Sequence, residues 1–386
     1  MTEFADPVSD FLAHACLVYS GDGPDRRARA VGVLTARPGL AAESLCAAAA
    51  LGDLPAARAH LAGDPAAARR EDGPFAWEPL LYLAYSRVPQ SDPLGVARLL
   101  LDAGADPNAG YLWMGLPSPF TALTGAFGEG EDAANQPRHP ASEDLARLLL
   151  ERGADPNDSQ ALYNRMFGPD DGHLRLLFAH GLGKGDGGPW HARLGDAHPT
   201  PAAMLHDQLL YAATTARPAR IRLLLDHGVP PESPYPGHPI HRGRSALELA
   251  LRAGDPVSAG LLLDTGATPV TLPPSAEYVA AALRGESPDP LPQAIADEPD
   301  AVTRAVELSR PAAVRTLIAH GFPVGTALHT AALAGDTAMV DLLIDLGADP
   351  TARDPHHGST PAAWARHNHH AALAEHLDAR AGTKKP

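Results

Sequence analysis

The chain has 386 residues, with 46 Asp and Glu against 31 Lys and Arg and a formal net charge of −15. That excess of negative charge repels phosphate backbones and argues against nucleic acid as a partner. Hydrophobic residues make up 45% and aromatic residues only 5%, which excludes a disordered chain and favours many thin helical layers over one thick core.

Basic charge is nearly all Arg: Lys occurs only at 184, 384 and 385. This reads as coding bias from a GC-rich, bacterial genome and not as a binding feature. The two cysteines, Cys16 and Cys46, sit inside apolar helical patterns and are expected as buried free thiols in a reducing cytoplasm. The first residues, MTEFADPVSDF, are acidic. No apolar run approaches the ~18 residues of a membrane span. No signal peptide and no membrane segment are expected.

Residues 1–43 hold two weak helical patterns and read as an N-terminal helical capping region. Looser helical phrases follow at 44–65 and 77–104, the second with extra residues VPQSDP (88–93) in its turn. From there one eight-residue phrase recurs: ARLLLDAG (97–104), ARLLLERG (146–153), LRLLFAHG (174–181), IRLLLDHG (221–228), AGLLLDTG (259–266), VRTLIAHG (314–321) and VDLLIDLG (340–347). Each is an apolar helical stripe closed by a Gly, which supplies the positive φ that ends a helix. Leu225, in one such stripe, is expected inside a stacked layer. ADPN follows at 105–108 and 154–157, and ADPT at 348–351. The unit at 277–299 lacks the Leu-Leu pair and is Pro-rich; whether residues 274–302 pack as a true repeat or as a hinge is left open by the sequence. Residues 361–380 close the stack, and residues 381–386 read as a disordered tail.

The copy at 326–349, TALHTAALAGDTAMVDLLIDLGAD, joins a helical phrase, a Gly335-Asp336 turn, a second helical phrase and a Gly stop. With its six relatives it resembles the ankyrin repeat family, whose signature is a T-P-L-H-x-A start, a Gly-Asp turn, a V-x-x-L-L helix and a G-A-D-x-N finish. Ala327 stands where the family has Pro; Thr360-Pro361 matches the first two letters, and Ala362-Ala363 replaces Leu-His. The resemblance covers roughly residues 44–380. It implies an all-α solenoid of about nine helix-turn-helix units plus a C-terminal cap, with finger loops along one edge, and a hydrogen-bonding role between neighbouring repeats for His329. It says little about function.

The closing glycines lie 49 residues apart between Gly104 and Gly153 but 26 apart between Gly321 and Gly347, against a family period of about 33. The excess sits mainly in the fingers after Gly104, Gly181 and Gly228, which marks them as a candidate binding face. These fingers carry Trp113 and Met114, Trp190 and Arg193, Tyr235 and Arg242, while Tyr82, Tyr85 and Arg87 lie on or beside an early first helix. Trp, Tyr and Arg dominate binding hot spots, and the same aromatics can instead pack fingers together.

GKGDGG (183–188) matches a dinucleotide fingerprint in letters, but the required strand does not precede it, so it reads as a flexible finger. His356, His357, His367, His369, His370 and His376 lack the Cys or carboxylate spacing of a zinc site and read as solvated. There is no G-x-S-x-G elbow and no P-loop Lys. The expectation is a non-enzymatic, cytoplasmic, monomeric scaffold that binds a protein or peptide on its finger and first-helix face, with no cofactor, metal or catalytic residue. The alternative is a small-molecule- or metal-responsive regulator using the His-rich fingers or the C-terminal cap.

Overall fold

A computed structural model describes residues 6–232, 240–241 and 243–383 of the chain. These form α-helices, a few 3-10 turns and one two-stranded antiparallel sheet, Gly110–Leu112 against Pro119–Thr121. The chain divides into two compact units, Met1–Met204 and Leu205–Pro386.

In the first unit the helices Pro7–Ala15, Pro24–Ala36 and Leu40–Glu43 precede a series of pairs: Leu45–Leu51 with Leu54–Gly63, Pro79–Tyr85 with Pro93–Asp102, Ala122–Phe127 with Ser142–Glu151, and Ser159–Met166 followed by Gly172–Ala179. First helices pack on first helices and second helices on second, which is the layering of a repeat stack. Helix Pro7–Ala15 lies on Leu45–Leu51.

In the second unit Pro218–Asp226 is followed by the pairs Ala246–Arg252 with Pro256–Asp264, Pro274–Leu283 with Pro292–Asp297, Ala301–Glu307 with Pro311–Ala319, Ala327–Leu333 with Thr337–Asp345, and Pro361–His367 with Ala371–Thr383. A continuous apolar cluster runs here from Tyr278 and Val302 through Leu328 and Leu343 to Leu377. The Pro-rich stretch therefore packs as a helix pair, with its second helix cut to six residues. The last helix continues to Thr383, past the end at 380 that the sequence suggested.

The recurring phrase explains these pairs residue by residue. Its closing Gly takes φ between 82° (Gly228) and 101° (Gly347) in all seven copies. The amide after it then bonds back five residues, as Ala105 N to Leu100 O (3.0 Å) and Ala348 N to Leu343 O (2.9 Å), the six-to-one bond of a Schellman stop. That next residue is always apolar and buried: Ala105, Ala154, Leu182, Val229, Ala267, Phe322 and Ala348. Within the phrase the fourth letter is the deepest; Leu100, Leu149, Leu177, Leu224, Leu262, Leu317 and Leu343 are all fully buried. Leu225, the fifth letter, is only half-buried, so the expectation that it fills a layer is corrected to Leu224. Helical geometry is the reason: letters one and four share a face, and letter five turns toward its edge.

Four second helices start on a capping Asp: Asp53, Asp92, Asp255 and Asp336. The side chains of Asp53, Asp92 and Asp336 accept from Ala56 N (3.0 Å), Gly95 N (2.8 Å) and Met339 N (2.9 Å), each satisfying an otherwise orphaned amide.

Candidate functional site

The finger after Gly104 is the most elaborate. Asp106 opens it by accepting from Asn108 N (2.9 Å), and the short sheet pairs Tyr111 with Phe120 across it. Its tip is the turn Trp113–Gly115, where Met114 adopts φ 51°. The base is anchored on a cluster of rings: Tyr111 stacks on Trp77 (centroids 4.5 Å apart) and on Phe120 (5.5 Å), and Tyr19 meets Phe120 edge-on at 4.8 Å. Each such pair adds about 0.5–1.5 kcal/mol beyond area burial.

Tyr82 and Tyr85 belong to this base and are fully buried. The Tyr85 hydroxyl donates to Thr121 O (2.8 Å) and that of Tyr82 to Asp72 O (2.8 Å). Burial pushes both phenols well above their ordinary range. A Cβ on Gly125 would lie 2.6 Å from the Tyr85 ring, so the adjacent first helix carries Gly where that ring enters. As direct partner contacts these two tyrosines are corrected: they hold the finger and do not face solvent.

Arg87 is buried too. It donates to Ala84 O (2.9 Å), Ser86 O (2.8 Å), Gly125 O (2.6 Å) and Pro137 O (2.6 Å). Burial pulls its guanidinium down to about 10, so it remains a cation at neutral pH and ties neighbouring repeats through their carbonyls.

Trp113 is half-buried, its indole donating to Val18 O (3.0 Å). Trp190 is buried, its indole donating to Asn108 O (3.0 Å). It therefore clamps the base of the same finger from the helix Gly188–Leu194. Exposed Arg193 lies over its ring at 4.4 Å. The helix Gly188–Leu194 begins on the last Gly of GKGDGG. Three of the GKGDGG amides are engaged: Gly183 N donates to Asn157 Oδ1 (2.8 Å), Lys184 N to Gly181 O (3.0 Å) and Gly188 N to Asp186 Oδ1 (3.2 Å). Of the remaining candidates Met114 is 80% exposed, and Tyr235 and Arg242 lie outside the described residues.

Two exposed apolar residues went unnoticed in the sequence: Leu112 and Leu116, on either side of the Trp113–Met114 pair. Their spacing about a tight turn was the available signal. Asp158 was also missed. It caps the helix Ser159–Met166 through Ala161 N (2.8 Å) and accepts from the hydroxyls of Thr121 and Thr124. Burial pushes its carboxyl up to about 6, against the lowering effect of those bonds.

At the other end of the chain His329 Nε2 lies 3.2 Å from Ala352 O and 3.1 Å from Ser359 O, bridging to the following finger as the resemblance implied. His376 pairs with Asp341 (2.7 Å). Among the described residues no group of three or more His, Cys, Asp or Glu converges as a metal site.

With the stop, the Gly-Asp turn and this histidine bridge in place, residues 325–355 also match the family model described as Ankyrin repeat. This segment is an ankyrin repeat. No curated protein matches the chain. The other helix pairs are all-α, several of them close on the same Gly stop, and ankyrin repeats are in general modules of protein–protein interaction. Among the described residues no helix is long and apolar enough to cross a membrane.

Proposed function

We propose that the chain is a non-enzymatic scaffold that recognises a protein or peptide partner through its fingers and first helices, acting as a cytoplasmic monomer. In this reading residues 1–43 cap the stack and residues 44–380 present the binding face. The observation that supports it most is the division of labour in the finger 105–121. Its base is locked by buried rings and backbone hydrogen bonds, while Leu112, Met114 and Leu116 point out of it with 36%, 80% and 52% of their surface exposed. A rigid base loses little entropy when a partner docks, so more of the contact energy survives as affinity. Arg193 is a further proposed contact of this finger, and Tyr235 and Arg242, in the stretch after Gly228, are proposed contacts from the sequence alone. Trp113 and Trp190 set the geometry.

The test is affinity capture from native cytosol with wild type and the double variant Met114→Asn, Leu116→Ser, both checked by circular dichroism. A protein retained by wild type and lost by the folded double variant is the expected result. Equal retention by both, together with equal retention by a Tyr235→Ala, Arg242→Ala variant, would move the interface off the fingers.

A further inference from the structure

The first-helix face of the first unit already holds a peptide segment, and it is the chain's own. Leu17 N donates to Tyr85 O (2.9 Å) and Arg87 N to Ala15 O (2.8 Å), so Cys16 pairs antiparallel with Ser86 at the end of helix Pro79–Tyr85. The Trp113 indole, on the finger, donates to Val18 O (3.0 Å). The Tyr19 ring then meets Phe120 (4.8 Å) and Tyr85 (6.4 Å) edge-on, and its hydroxyl accepts from Asn164 Nδ2 (3.0 Å) on helix Ser159–Met166. One side chain thus spans three successive first helices, Phe120 leading into the middle one. Asp22 folds the segment back by accepting from Val18 N (3.1 Å) and Tyr19 N (2.7 Å), and it also accepts from Gln136 Nε2 (3.4 Å). Main-chain bonds with an inserted side chain are also the way an extended peptide is read.

The segment is held lightly. Tyr19 takes a left-handed backbone (φ 56°), a conformation that costs a non-glycine residue about 1 kcal/mol. The helix that follows, Pro24–Ala36, buries only Ala30 among its 13 residues, and a stretch with so little buried apolar surface opens before the core does. Tethering explains how it stays in place all the same. A short linker keeps a segment at an effective concentration on the order of millimolar, so weak intrinsic affinity is enough.

We infer that residues 16–22 occupy the peptide groove of this unit as an internal competitor, and that the partner is an extended segment presenting a tyrosine to Tyr85, Phe120 and Asn164 in place of Tyr19. This rests on the proposed function and names the chemistry of its partner. The hydroxyl gives the groove its selectivity: Asn164 is buried, and a phenylalanine in the same place would take the bond from its amide.

The experiment uses the full chain, as wild type and as Tyr19→Gly, and a labelled synthetic peptide of residues 14–23 followed by fluorescence anisotropy. Gly accepts the left-handed turn, so the variant keeps its backbone while its own segment loses the ring that anchors it; a thermal melt checks the fold. The peptide is expected to bind Tyr19→Gly at least about tenfold more tightly than wild type, and the same peptide with Phe for Tyr to bind about tenfold more weakly. Hydrogen exchange of wild type needs no variant: the Leu17 amide should exchange through a local opening while that of Ala105, bonded within its own repeat, stays protected. Equal binding to both proteins, binding to neither, indifference to Tyr against Phe, or a Leu17 amide as protected as that of Ala105 would each overturn the inference. If the peptide fails while the Met114→Asn, Leu116→Ser variant still loses its captured protein, the proposed function stands and only the groove's occupant is wrong.

Discussion

The fingers after Gly104 and Gly347 begin alike and end differently. Both open with Ala-Asp-Pro, and in both the Asp side chain takes the amide two residues on, at 2.9 Å. The first then closes as a hairpin on a bed of rings and leaves an apolar tip in solvent. The second closes around one carboxylate: Asp354 accepts from the amides of His356 (3.0 Å), His357 (2.6 Å) and Ser359 (2.9 Å) and from the Trp364 indole (3.1 Å). A loop that only connects repeats needs its backbone donors satisfied and little more. A loop that projects an apolar tip also needs a foundation, and the aromatic residues of the first unit supply it.

The sharpest way to break the comparison is to remove that foundation. Tyr85→Ala empties a fully buried ring site beneath the hairpin and should cost about 3–5 kcal/mol, seen as a lower urea midpoint and a collapsed near-ultraviolet dichroism signal. An unchanged midpoint would mean that the finger stands without its rings.

Acid separates the two fingers by sign. Asp158, which anchors Thr121 at the end of the hairpin, has its carboxyl pushed up to about 6 by burial. The folded state then holds the proton more tightly than the unfolded chain. Relative to Asp158→Asn, wild type should gain up to about 3 kcal/mol as pH falls from above 6 toward the ordinary Asp value near 4. For Asp354 burial pushes the carboxyl up, but the amides of His357 and Ser359, the Trp364 indole and the His356 amide together hold it well below the usual carboxylate range. Its stabilisation is present above the unfolded value and is lost only as pH falls through the lower folded one. Between pH 7 and 4.5 the difference between wild type and Asp354→Asn should stay flat while that for Asp158→Asn slopes. Parallel denaturant titrations of the three proteins decide it, and equal slopes would remove the distinction.

The smallest effect concerns what the fingers share, the glycine from which they spring. Gly153 holds φ 97° with open space where a Cβ would stand. Gly153→Val should therefore cost only the backbone term, about 1–2 kcal/mol. A melt overlaying wild type would show that the backbone escapes the left-handed region there without penalty.

Much of the architecture was legible because its signals are local. A helical stripe with Gly at its end specifies a helix and its stop within eight residues, and an Asp after the turn caps the next helix whatever lies beyond. The same letters did not say which leucine is deepest: Leu224 and Leu225 are one residue apart, and only the stacking of neighbouring helices buries the first and half-exposes the second. Loop length and composition located the finger after Gly104 correctly as long and aromatic. It could not assign roles to the aromatics, because a tryptophan that binds a partner and one that clamps a hairpin are the same residue until the surrounding backbone is placed.

The sequence by itself therefore determined the repeat and its stops, since each depends on residues close in the chain, while the bridge at His329 followed from the family resemblance. Only the tertiary structure decided that Tyr82, Tyr85, Arg87 and Trp190 are buried supports, that GKGDGG leads into a helix, and that Leu112, Met114 and Leu116 are what the finger leaves in water. Burial is set by partners distant in sequence, such as Val18 beneath Trp113 and Asn108 beside Trp190, and no local pattern records them.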